Sequence, residues 1–176
     1  MTGTDQPKNG RVAVASSSGV ATDAATRVIR EGGNAVDAAI AAAFVSVNTE
    51  PGVCALAGGA YITIWEPGQN PLCIDGYARV PGLGADDGAR NSGDAVHMEY
   101  GGGVTTVIGA ASVAVPGTPA ALAELHRRYG ALPWSACLEP AIELCRGGFP
   151  LPSACHHYLK FSGRKIFGRS AAGFRA

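Results

Sequence analysis

The sequence predicts an α+β fold, and three observations carry that prediction. Apolar residues recur every second position in some segments and every third or fourth in others, so strands and amphipathic helices both occur. These segments follow one another as strand–helix–helix–strand–strand and then strand–helix–helix, a mixed order. The chain has 176 residues, of which 47% are hydrophobic and 16% charged. That is enough for one domain with a buried core and hardly enough for two.

The elements follow in order. Arg11-Val12-Ala13-Val14-Ala15-Ser16 alternates and predicts a short strand. A helix comes next, with Thr22 or Asp23 near its start and Val28 and Ile29 on its inner face. Glu31-Gly32-Gly33 ends it, with glycine where a left-handed residue closes a helix. Asn34 caps the following helix, and Asp37 stands three residues on, where a carboxylate favours a helix N-terminus. Val36, Ile40, Phe44 and Val47 share one face of it, and the opposite positions are mostly alanine. This helix is expected to be buried on nearly all sides.

Glu50-Pro51-Gly52 ends that helix, and a loop of small residues runs to Ala60. Tyr61 to Trp65 and Leu72 to Asp75, joined around Pro67-Gly68, predict a hairpin. Residues 82–103 read as loop, and Val104 to Val115 as a strand. Thr118-Pro119 opens a helix in the cap-then-proline order, with Leu122, Leu125 and Tyr129 inward and Gly130 at its end. A last helix around Leu138, Ala141, Ile142 and Cys145 stops at Gly147-Gly148. From Ser153 onward the apolar residues have no evident partner.

Composition narrows the function classes. With 14 basic and 14 acidic residues the net charge is zero, which speaks against a nucleic-acid or anionic-membrane partner. The apolar run from Ala38 to Val47 is far short of the roughly 20 residues that span a bilayer. Met1 to Gly10 is a polar tail without a signal-type apolar stretch, so a cytoplasmic location is expected. The five cysteines, Cys54, Cys73, Cys137, Cys145 and Cys155, include no CxxC pair and read as buried thiols. No metal and no cofactor is expected.

Residue by residue, few motifs carry chemistry. Ala57-Gly58-Gly59-Ala60 lies between a helix and a strand, the reverse of the order a phosphate loop needs. It reads as a tight turn where backbone passes close to other structure. His126 sits mid-helix beside Arg127 and Arg128 and reads as part of a solvated face; His97, His156 and His157 show no metal-ligand spacing. Arg79, just past the strand ending at Asp75 and two residues before Pro81, could hold a substrate carboxylate in a bidentate fork. The alternative is a surface arginine paired with Asp75 or Asp86. Thr105-Thr106 looks like part of a strand, and Thr2 lies in the polar tail with no rigid surroundings.

Several segments together resemble the γ-glutamyltranspeptidase family (glutathione hydrolase-like). They are Glu31-Gly32-Gly33-Asn34-Ala35-Val36-Asp37-Ala38-Ala39, then Glu50-Pro51 and the glycine-rich loop, then Val115-Pro116-Gly117. Further on stand Leu125-His126-Arg127-Arg128-Tyr129-Gly130 with Leu132-Pro133-Trp134, and Pro140-Ala141-Ile142 with Gly148-Phe149-Pro150. The resemblance runs over residues 11–152, between the polar tail of residues 1–10 and a segment, 153–176, to which the sequence assigns no role.

That resemblance implies part of an N-terminal-nucleophile (Ntn) hydrolase αββα sandwich, incomplete in this chain, from the N-terminal part of a large subunit. It implies amide hydrolysis or acyl transfer on a small γ-glutamyl or related acyl-amide substrate. The nucleophile would be a threonine outside this chain, supplied by a downstream segment or small subunit, with Arg79 as the substrate-binding residue and no catalytic residue here. The family's transpeptidases carry Arg-Glu-Thr-Ala-Pro after the corresponding strand; here Tyr77 holds the position four before Pro81. A non-catalytic scaffold subunit, or a degenerate remnant of such an enzyme, is the alternative.

Overall fold

The computed structural model describes residues 12–82, 84, 93–99, 102–109, 112–168 and 171–175. The tail of residues 1–10, with Thr2, and Asp86 lie outside them. Two helices open the described chain, α1 (Gly19–Arg30) and α2 (Ala35–Thr49). The strand predicted before them is not seen over its described part: Val12 to Ser16 has no regular structure, and among the described residues no strand lies alongside to complete a hydrogen-bonded ladder. Serines tie this segment down instead. Ser17 Oγ donates to Glu50 Oε1 at 2.7 Å, and the Ser18 side chain accepts the Ala21 N–H, so α1 starts at Gly19, ahead of the expected Thr22 or Asp23.

Helix α2 begins as the sequence predicts. The Asn34 side chain accepts the N–H groups of Val36 and Asp37, and the Asp37 carboxylate accepts the N–H of Asn34, a reciprocal capping box. Between the helices Gly32 adopts φ +99°, and a Cβ on Gly33 would fall 2.8 Å from Val28 Cγ1. Ala21, Ala24, Ala25 and Val28 of α1 and Ala38, Ile40, Ala41 and Val45 of α2 are buried. Small side chains let the two backbones approach, and burying Ile40 alone contributes about 1.5–3 kcal/mol.

Two antiparallel hairpins follow. Strands β1 (Ala60–Ile64) and β2 (Leu72–Gly76) pair in the register Ile62↔Ile74, and β3 (Asp94–Met98) pairs with β4 (Val104–Ile108) in the register Val96↔Thr106. Ile62, Ile64 and Ile74 face the helical core, while Tyr61 and Trp65 point outward and are exposed. β3 occupies a segment expected to be loop, and the long strand predicted to Val115 ends at Ile108; Val115 returns only as an isolated bridge to Arg79.

Helices α3 (Thr118–Tyr129) and α4 (Trp134–Gly147) close the core. Leu122 and Leu125 of α3 and Cys137 and Ala141 of α4 join Ile40, Phe44 and Val45 in one cluster. Phe44 meets Trp134 edge to face, with ring centroids 5.4 Å apart at 82°. Beyond them α5 (Ser153–Phe167) and the short α6 (Ala171–Arg175) form where the sequence showed no partner. Cys155 and Ser162 of α5 are buried, and Lys165 Nζ donates to the His97 carbonyl at 3.1 Å. The fold class is mixed helix and strand, as expected. No helix among the described residues is long and apolar enough to cross a membrane.

Candidate functional site

Three glycine-bearing segments meet at the end of β2, and glycine is required at each by contact. A Cβ on Gly76 would lie 2.3 Å from Ala121 Cβ, one on Gly117 would lie 2.1 Å from the Gly76 oxygen, and one on Gly59 would lie 2.5 Å from the Ala78 nitrogen. The Gly58 carbonyl accepts the N–H of Gly117 at 3.0 Å and of Thr118 at 3.2 Å. Gly117, rather than Thr118, is therefore the cap of α3, and the loop carbonyl replaces a side-chain cap. The glycine-rich loop is a backbone joint, in keeping with its reading as a close-approach turn.

That joint fixes Arg79. Its N–H donates to the Val115 carbonyl at 3.0 Å, and the Val115 N–H donates back at 2.7 Å. The side chain reaches the rim of a cleft of about 310 Å³ bordered by Asp75, Tyr77, Gly117, Ala121 and Glu124. Among the described residues its guanidinium has no carboxylate partner. Asp75 Oδ1 accepts the Tyr77 N–H at 3.0 Å. Glu124 accepts from Arg127 at 2.7 and 2.8 Å and from Arg128 at 2.5 Å. These hydrogen bonds, Arg127's first, hold the Glu124 carboxyl down at about 2. Asp75 and Glu124 make these bonds elsewhere, and Arg79, exposed, borders the cleft.

A second, larger hollow of about 790 Å³ lies alongside. Ala39, Ala43, Ser46 and Val47 of α2 border it, with the loop from Gly52 to Gly59, Tyr61 and Thr63 of β1, and Leu122 of α3. Contrary to expectation, α2 is not covered on all sides: the alanine face that invites a neighbour is open here, and Ala39 is exposed. The ring of Tyr61 stacks on that of Tyr77, with centroids 5.5 Å apart and planes 14° apart.

The most densely bonded polar cluster lies elsewhere and was missed in the sequence. The buried Asp37 carboxylate accepts from the backbone N–H groups of Asn34, Ala131 and Leu132, and Cys137 Sγ approaches Oδ1 at 3.7 Å. Asn34 Nδ2 donates to the Tyr129 carbonyl at 2.7 Å. His126 is half-buried, its Nε2 2.7 Å from the Leu132 carbonyl and its ring against Trp134, so it is not on a solvated face. Burial first, and then the Asp37 charge, pushes the Cys137 thiol up to about 11.

Asp37, His126 and Cys137 are ligand types with donor atoms within 4.8 Å of one another. Yet the Asp37 oxygens already accept backbone N–H groups, and His126 Nε2 lies 2.7 Å from the Leu132 carbonyl, so these donor atoms are engaged within the fold. The cluster joins α2 to the α3–α4 turn. Its one sequence signal was Asp37 at the third position of a helix, which the capping rule explains without the distant partners.

No described threonine resembles an activated nucleophile. Thr105 Oγ1 lies 3.3 Å from His97 Nδ1 on the exposed face of the β3–β4 hairpin, and Thr106 is paired within the ladder. Of the free cysteines, Cys137 and Cys155 are buried, whereas Cys73 and Cys145 are exposed, against expectation.

Comparison with known proteins adds four findings. A family model described as gamma-glutamyltranspeptidase matches residues 21–172. The chain is 32% identical over 152 residues to the glutathione hydrolase proenzyme of Pseudomonas aeruginosa, covering 82% of this chain and 26% of that protein. Among solved structures it matches the gamma-glutamyltranspeptidase of Pseudomonas nitroreducens with a TM-score of 0.74 and 30% identity, over 94% of this chain and 47% of that one. A cephalosporin acylase from Bacillus halodurans matches with a TM-score of 0.69 and 28% identity, over 86% of this chain and 27% of that one. The chain thus spans about a quarter of the length of the curated relative it matches.

Proposed function

This chain belongs to the γ-glutamyltranspeptidase family, and from that premise we propose that it is the N-terminal portion of a γ-glutamyltransferase or glutathione hydrolase-like amide hydrolase. Helices α1 to α4 form an outer layer of an Ntn-type αββα sandwich, and the β1–β2 hairpin supplies part of a central sheet. The nucleophile is a threonine outside these residues, freed at the N-terminus of a downstream small subunit. Its own α-amine takes the hydroxyl proton as the oxygen attacks the acyl-amide carbonyl. The tetrahedral oxyanion is held by hydrogen-bond donors, and the leaving amine departs with the proton. Water or an acceptor amine then releases the acyl group.

This chain contributes binding and positioning. Arg79 anchors the carboxylate of the small-molecule substrate. The observation that carries this role is a guanidinium without a described carboxylate partner, fixed by its bridge to Val115 at the rim of a cleft. A fork of this kind gains from two parallel N–H···O bonds, provided its backbone does not move.

The test uses protein carrying this chain together with its natural continuation. Self-cleavage into two fragments and release of aniline from γ-glutamyl or related acyl anilides are expected, both lost when the newly exposed threonine is replaced by alanine. Continued chain that neither cleaves nor releases aniline would instead support the non-catalytic scaffold or remnant.

A further inference from the structure

The two hollows share a wall. Tyr61 borders the larger one, Tyr77 borders the Arg79 cleft, and the two rings are stacked. Both rings are largely open, with 64% and 59% of their residues' surface exposed. Their placement is rigid. Tyr61 stands opposite Asp75 in the β1–β2 register, and Asp75 holds the Tyr77 N–H. The Tyr77 Cα lies 3.0 Å from where a Cβ on Gly59 would stand. Tyr77 and Arg79, two residues apart just past β2, both border the smaller cleft.

We propose that the Tyr61–Tyr77 pair is a specificity-determining wall. The site it borders takes acyl amides that carry a carboxylate for Arg79 and, a few bonds away, an aromatic or similarly flat apolar group. Each ring of a stacked pair shields one face of the other and leaves its second face free for a third ring, which prefers the same offset packing. A short acyl group could reach Arg79 but would leave that surface wet. The inference rests on the proposed function in making the ligand an amide and in taking Arg79 as its carboxylate anchor; recognition of the ring is a binding property of this chain.

The test compares equilibrium binding of hippurate and N-acetylglycine to the 176-residue chain, two amides with the same carboxylate that differ in a phenyl for a methyl. Hippurate is expected to bind about tenfold more tightly, the scale of one good aromatic contact. Tyr77→Ala should bring the two ligands within about twofold of each other, and Tyr77→Leu, which keeps apolar bulk without the flat ring, should do the same. Arg79→Ala should weaken both ligands equally.

Equal wild-type affinities, no saturable hippurate binding at millimolar concentration, or an unchanged ratio in Tyr77→Leu would overturn the proposal. So would variants that lower the melting temperature without altering the ratio, the mark of a face packed against other polypeptide. In the continued protein, γ-glutamyl anilide hydrolysis with no ring preference would remove the wall and keep the hydrolase. A ring preference in binding without any hydrolysis would do the reverse.

Discussion

The Asp37 carboxylate accepts the backbone N–H of Ala131, 94 residues further along the chain, at 3.2 Å through one oxygen and 3.1 Å through the other. With Leu132 and Asn34 as further donors, it locks the start of α2 to the α3–α4 turn. Asp37→Ala would strand three N–H groups around a position that is 0% exposed. At about 1 kcal/mol each, near the lower end for an orphaned donor, the loss is about 3 kcal/mol. Asp37→Asn keeps one acceptor oxygen and should lose less. Urea unfolding measures both, and a loss below about 1 kcal/mol for the alanine variant would show that the lock contributes little.

The glycine joint makes a second prediction. Gly76→Ala would drive a methyl into Ala121 at 2.3 Å and toward the Gly117 carbonyl at 3.0 Å. Main-chain atoms cannot swing aside as a long side chain can, so overpacking should cost about 1–3 kcal/mol. The strain falls between β2 and α3, and relief by separating them would also disturb the Arg79–Val115 bridge. Reduced stability together with weaker carboxylate binding is therefore expected. Gly76→Ala combined with Ala121→Gly, which removes the opposing methyl, should recover part of both.

Alkaline pH should expose the buried thiol. The Cys137 value of about 11 lies above the ordinary 9.0, so the folded state holds its proton more tightly than the unfolded chain does. The stabilisation is complete below about pH 9 and is lost as pH rises toward 11, because the unfolded thiol ionises first. Urea midpoints measured from pH 8 to 11 should fall more steeply for the wild type than for Cys137→Ala. Exposed Cys73 and Cys145 should be alkylated well before Cys137 in the native protein.

Much of the fold was legible because local rules and tertiary packing agree. Asn34 and Asp37 form the cap their spacing predicts, Gly32 closes α1, and Pro67-Gly68 turns the first hairpin. Reading failed where a segment depends on something distant in sequence. Val12 to Ser16 alternates like a strand but, among the described residues, has no neighbouring strand to pair with. His126 carries flanking arginines, yet its own side turns inward to Leu132 and Trp134. The Gly58 carbonyl capping α3 leaves no side-chain signature at all. Arg79 was legible as a candidate from its place after β2. That Asp75 and Glu124 were engaged elsewhere could be seen only in three dimensions.

With Asp75 and Glu124 bonded elsewhere, the proposed anchoring role of Arg79 can be measured. With the natural continuation present, Arg79→Ala should lower kcat/KM for substrates bearing a free carboxylate by about 1.5–3 kcal/mol, the range for hydrogen bonds to charged groups. Substrates lacking that carboxylate should change far less. Arg79→Lys keeps the charge but not the planar fork, and should recover only part of the loss. Stability should barely move, because the residue is exposed and its bridge to Val115 is made by backbone atoms. A merely superficial arginine would instead give small and equal changes on both substrate classes. Uniform effects across the two classes, or full activity in the lysine variant, would take Arg79 out of the binding site.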